Sequence, residues 1–137
     1  MYTFKKLRKL IEQADLGNGG TGFDMVVAIA NGGIIPAAMI NQRLGVEFQL
    51  LKLSLRDPRQ QPMYDTPRLV EEPVYDVRGK KILLVEDRVK TGASLAMAKK
   101  ILLEKGAASV RTLAVNGKAD ISLLDVPCFR FPWILNS

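Results

Sequence analysis

The chain has 137 residues, 47% of them hydrophobic, which suits a single domain over residues 1–137 and leaves little room for a second. With one cysteine, Cys128, and no histidine, an internal disulfide, a Cys/His zinc site and any histidine-based triad are excluded; carboxylates, lysines, hydroxyls, backbone dipoles and a hard cation carried by a phosphate substrate remain. A formal net charge of +6 favours a polyanionic ligand, and the lack of a bilayer-length apolar run or a signal-peptide pattern sets the expected location as cytoplasmic.

Phe4, Leu7, Leu10, Ile11 and Ala14 recur at helical spacing and predict an amphipathic helix over residues 3–14, with Lys5, Lys6, Arg8 and Lys9 on its solvated side. Asn18, Gly19, Gly20 and Gly22 break it. Residues 25–29 form a buried-strand pattern, followed by Asn31, Gly32 and Gly33 and a helix over 35–43 with Pro36 in its first turn. Another strand is predicted over 48–53. From 56 to 73 the composition shifts to Pro, Gln, Arg and Asp, which predicts a long loop with a hairpin around Tyr64. Residues 81–85 return as a strand, 94–103 as a helix ended by Gly106, and 110–114 as a strand. This alternation predicts an α/β fold, a parallel sheet flanked by helices, with ligands bound beyond the carboxyl ends of the strands. Gly32, Gly33 and residues 86–94 all fall there.

The most informative stretch is residues 82–94: the apolar run Ile82, Leu83, Leu84, Val85, the carboxylates Glu86 and Asp87, then Lys90, Thr91, Gly92, Ala93 and Ser94 opening a helix. Two carboxylates at a strand tip can accept hydrogen bonds from neighbouring ribose hydroxyls, while amides and hydroxyls at a helix N-terminus face a phosphate. Gly92 and Ala93 are small enough to let a phosphate approach the main chain. This segment resembles the 5-phosphoribosyl pyrophosphate (PRPP) motif of type I phosphoribosyltransferases, in which four apolar residues precede two acidic ones and a loop ending Thr-Gly-x-Thr or Thr-Gly-x-Ser.

Two further segments are similar to the purine branch of that family. Ile29 to Ala37, centred on Asn31, Gly32 and Gly33, is similar to its pyrophosphate loop, where glycine amides hold the pyrophosphate and a basic residue commonly precedes the glycines; here that residue is Asn31. Arg56, Arg59 and Arg68 in the long loop either supply the missing charge or are simply solvated. The C-terminal Phe129, Arg130, Phe131, Pro132 and Trp133 resemble the hood segment that ends xanthine-guanine and hypoxanthine phosphoribosyltransferases. Two readings follow: Phe129 stacks on the base, with Cys128 at the position five before Trp133, or Phe131 and Trp133 pack the C-terminus onto the domain. Lys118 resembles the lysine that donates to the oxygen of a 6-oxopurine, and is equally read as a solvated loop lysine. Lys90 stands where 6-oxopurine enzymes usually place an aspartate near the purine N7; an ammonium does not replace a carboxylate there, but adds a phosphate contact.

The resemblance implies PRPP-dependent transfer of phosphoribose to a nucleobase, with a purine favoured, release of pyrophosphate, and Mg²⁺ as cofactor. It assigns Glu86 and Asp87 to the ribose hydroxyls and the developing sugar charge, Asp87 also to the metal, residues 90–94 to the 5′-phosphate, and Gly32 and Gly33 to pyrophosphate. The implied partners are PRPP and a nucleobase, with no membrane; nucleic acid and self-association stay open. The alternative is a non-catalytic PRPP- or nucleotide-sensing regulator of the same fold that also binds RNA.

Overall fold

The computed structural model describes residues 3–16, 22–54, 68–127 and 130–135. Its chain order is α1 (Phe4–Gln13), β1 (Met25–Ala30), α2 (Ile34–Leu44), β2 (Glu47–Ser54), β3 (Arg68–Leu69), β4 (Lys81–Arg88), α3 (Ala93–Glu104), β5 (Ser109–Asn116) and β6 (Ile121–Leu124). Local chemistry sets the helix ends: Thr3 Oγ1 accepts from the Lys6 amide to cap α1, and Gly45, at φ +64°, closes α2 in the left-handed region where glycine carries no Cβ penalty. Arg43 donates to the carbonyls of Ile11 and Ala14, tying α2 to the end of α1.

The strands form one sheet in the order β3-β2-β1-β4-β5-β6. Its five long members run parallel, and β3 pairs antiparallel with β2 through Leu53↔Leu69 and Ser54↔Arg68. Because side chains alternate along a strand, each central strand feeds two cores. Met25, Val27, Ile29, Ile82 and Leu84 pack against Leu95, Ala98 and Leu102 of α3. Val26, Ala28, Leu83 and Val85 pack on the other face against Ile11 of α1 and Ala37 and Ile40 of α2. At about 25 cal/mol per Å² of apolar surface removed from water, these two layers supply the main stabilising term.

The sequence pattern places seven of these elements within one to three residues of their observed ends. It misses β3, a two-residue strand inside the 56–73 segment predicted as loop, and β6, which lies parallel to β5 although only residues 117–120 connect them; parallel neighbours normally need a crossover of a dozen or more. Gly117, at φ +127°, starts the return, and Asp120 completes it by accepting from both the amide and the hydroxyl of Thr112. The hairpin predicted around Tyr64 lies outside the described residues. Among the described residues no helix is long and apolar enough to cross a membrane.

The C-terminal aromatics serve packing. Phe131 is buried with Leu7 and Val115 and stacks on Trp133 at 4.7 Å between ring centroids, and Trp133 lies 6.3 Å from Phe4. Of the two readings of this segment, the described rings support the one that fastens the C-terminus to α1 and β5. Phe129 and Cys128 lie outside the described residues.

Candidate functional site

The loops after β1 and β4 meet at the carboxyl end of the sheet. Strand β4 runs three residues further than the apolar run predicts, so Glu86 and Asp87 belong to the strand and its alternation sends them to opposite faces. Asp87 turns toward the 31–33 loop. A Cβ on Gly32 would stand 2.5 to 2.6 Å from the Asp87 carboxylate atoms, and the Arg88 amide donates to Asp87 Oδ1 at 2.7 Å. Glycine at 32 is therefore what lets the carboxylate lie against the loop.

Gly33 has a different task. A Cβ there would meet the carbonyls of Val85 at 2.5 Å and Ile29 at 2.8 Å, and its amide donates to Ile29 O. The expectation that both glycine amides face pyrophosphate is corrected for Gly33: its amide is engaged by β1, and close approach to main chain explains the residue. Asn31, exposed, opens the loop after a cis Ala30–Asn31 peptide bond.

Glu86 lies on the α3 side, lining a hollow of about 270 Å³ with residues 88–94. Burial, and then the nearby Asp87 charge, raise its pKa to about 7. The far wall is the start of α3, where Gly92 at φ +85° turns the chain and, lacking a side chain, makes no cap bond of its own. Thr91 Oγ1 accepts from the Ala93 amide at 3.2 Å, and the first turn contains no acidic residue, so the positive end of the helix faces the hollow without a competing carboxylate. Ser94 lines the same hollow. The structure thus brings together Glu86, Lys90, Thr91, Gly92, Ala93 and Ser94, with Asp87, Gly32 and Asn31 around the strand tip.

A second hollow, of about 330 Å³, shares the wall formed by Arg88, Val89 and Lys90 and continues along Asn116, Gly117 and residues 125–127. Lys90 is exposed and lines both. Lys118 is exposed in the 117–120 turn and lines neither of these two hollows. Asn116 and Val126 were missed in the sequence; the only signal was a polar residue ending the apolar run of β5. Arg56 and Arg59 lie outside the described residues, as does the side chain of Arg68.

Among the described residues no group of three or more His, Cys, Asp or Glu side chains could hold a metal ion by itself. A Mg²⁺ that keeps most of its water shell needs only one or two carboxylates plus substrate phosphate, and Asp87, beside Gly32, would be the carboxylate to hold one.

Comparison with known proteins bears on the family and the fold. The chain is 36% identical over 93 residues to the orotate phosphoribosyltransferase of Sulfurisphaera tokodaii, covering 68% of this chain and 43% of that protein. It is 34% identical over 94 residues to the ribose-phosphate pyrophosphokinase of Thermoplasma volcanium, covering 69% of this chain and 30% of that one. The chain thus spans less than half the length of either curated relative. Among solved structures, the purine phosphoribosyltransferase of Pyrococcus horikoshii superposes with a TM-score of 0.75 at 18% identity, covering 98% of this chain and 97% of that one. A hypothetical protein from Neisseria gonorrhoeae with bound ppGpp gives 0.75 at 22%, covering 91% and 81%. Identities this low show the fold alone. The model of the Phosphoribosyl transferase domain matches residues 2–126, and the chain belongs to that family, the type I phosphoribosyltransferases.

Proposed function

We propose that this protein binds PRPP with Mg²⁺ and transfers its phosphoribosyl group to a nucleobase, releasing pyrophosphate. One observation carries the reading: the tip of β4 sets one carboxylate, Asp87, against Gly32 and the other, Glu86, toward the open N-terminus of α3. A pentose laid across the strand tip has its 5′-phosphate at residues 91–94 and its pyrophosphate beside Gly32. The helix amides and the Thr91 and Ser94 hydroxyls hold the phosphate. Glu86 and Asp87 accept from the ribose hydroxyls and stabilise the positive charge that develops on the sugar as the bond from C1 to pyrophosphate breaks and the bond to the base nitrogen forms. Asp87 would hold Mg²⁺, which would neutralise charge on the leaving pyrophosphate. The acceptor base occupies the second hollow, across the Arg88–Lys90 wall.

The orotate enzyme and the purine enzyme among the relatives differ in acceptor, and Lys90, where an aspartate would suit a 6-oxopurine, argues for testing both classes. Pyrophosphate release with Mg²⁺, PRPP and a panel of purines and pyrimidines tests the reading. Release that depends on one base supports it, and none with any base sinks it. The second reading, a nucleotide-sensing regulator, is favoured by exposed Lys90 lining both hollows, a cation suited to extra phosphates. Binding of PRPP or a guanosine polyphosphate without turnover, or salt-dependent RNA binding, supports that reading instead.

A further inference from the structure

Asn116, the last residue of β5, is a buried polar side chain, only 6% exposed. Both ends of its carboxamide engage one residue: Nδ2 donates to the carbonyl of Val126 at 3.0 Å, and Oδ1 accepts from the amide of Val126 at 2.9 Å. Its own carbonyl accepts from the Val89 amide at 2.9 Å. The next residue reinforces the junction, because the Gly117 amide donates to Leu124 O at 2.9 Å and a Cβ on Gly117 would stand 2.5 Å from the Val89 carbonyl. Two residues at the end of β5 therefore join the 88–90 wall to the 125–127 wall, the two sides of the second hollow.

Among the described residues, the 125–127 segment is held by these two bonds and by its start at Leu124, the last residue of β6, which pairs with Asn116. Val126 is 43% exposed, so it is not seated by packing, and its flanking residues are exposed as well. A buried carboxamide bonded at both atoms to one backbone unit is a strut of fixed length, and without it the Val126 amide and carbonyl are left to water, with nothing to hold their distance from β5.

We infer that Asn116 is a positioning residue for the acceptor: it sets the width of the second hollow between Lys90 and Val126 and acts on the base through Val126. This rests on the reading of that hollow as the acceptor subsite. A residue with a merely structural role would, when changed, weaken PRPP and base binding alike together with the fold. A strut at the acceptor wall moves one and spares the other.

The test compares the full-length wild type with Asn116→Ala and Asn116→Asp; the aspartate keeps one bond and sets a second oxygen against the Val126 carbonyl. The expected result is a KM for the base raised about tenfold or more, with the PRPP dissociation constant by calorimetry within about twofold of wild type. Hydrogen exchange at the Val126 amide accelerates, while that of Leu113 and Val115 in β5 holds. An unchanged base KM in both variants overturns the inference, as does a parallel loss of stability, PRPP and base affinity. A wild type that releases no pyrophosphate with any base overturns the functional reading itself, and the acceptor role of Asn116 with it, before any variant is compared.

Discussion

The carboxylate of Asp87 lies where a side chain on Gly32 would have to be, its three terminal atoms 2.5 to 2.6 Å from the position of that missing Cβ. Gly32→Ala therefore pushes the carboxylate away, and a carboxylate can yield where a backbone cannot. The expected outcome is a folded protein whose PRPP turnover falls about tenfold or more. Gly33→Ala meets main-chain carbonyls instead, and costs about 1 to 3 kcal/mol of stability by chemical denaturation. If both variants lose stability equally, the division of labour between the two glycines is wrong.

Asp87→Asn keeps an oxygen for the Arg88 amide but removes the charge. Turnover of PRPP should fall about 100-fold or more with the melting temperature little changed. Wild-type kinetics in this variant would remove Asp87 from the mechanism.

Glu86 titrates at about 7 in the fold against an ordinary 4.5, so between these values the folded chain binds more protons than the unfolded one. Its contribution to stability therefore falls as pH rises through that window and is flat above it. Denaturation without divalent ions at about pH 5 and about pH 8 should show wild type losing on the order of 1 to 3 kcal/mol relative to Glu86→Gln, which cannot ionise. Equal differences at both pH values would mean that the carboxyl is charged throughout.

Lys90 is exposed and lines both hollows, so if the second hollow takes the base, as proposed, an ammonium stands where a carboxylate would assist a purine. Lys90→Asp should raise phosphoribosyl transfer to guanine or hypoxanthine relative to pyrimidines, measured by pyrophosphate release. No gain with either purine would show that this residue does not set the choice of base.

Asp120 is held below the ordinary 3.8 chiefly by the Thr112 amide, so its stabilisation is present above that value and is lost as pH falls through its lowered pKa. Asp120→Ala should cost about 1 to 2 kcal/mol near neutral pH, and that difference from wild type should shrink in acid. An undiminished difference in acid would assign the loss to packing.

Much of this molecule was legible in its residues, and the exceptions share a cause. The apolar runs of β1, β4 and β5 and the spacing of Leu7 and Ile11 report burial, which is written locally, and Glu86 to Ser94 identified both carboxylates and the helix start because they are contiguous. What escaped depends on partners distant in sequence. Strand β6 follows a link that by length suggests a hairpin, and its parallel course relies on Asp120 reaching back to Thr112. Gly33 reads as a ligand glycine until β1 and β4 are seen pressing on it. Asn116 looks like any polar strand end without Val126 opposite.

The alternation of β4 reaches further than the core. Leu83 and Val85 sink toward α2 while Ile82 and Leu84 sink toward α3, and the same two-beat rhythm delivers Asp87 to Gly32 and Glu86 to the mouth of α3. A slip of one residue in this strand would trade the two acids between their stations and bury nothing correctly. The greasy side chains of the interior thus work as a vernier for the chemistry at the rim.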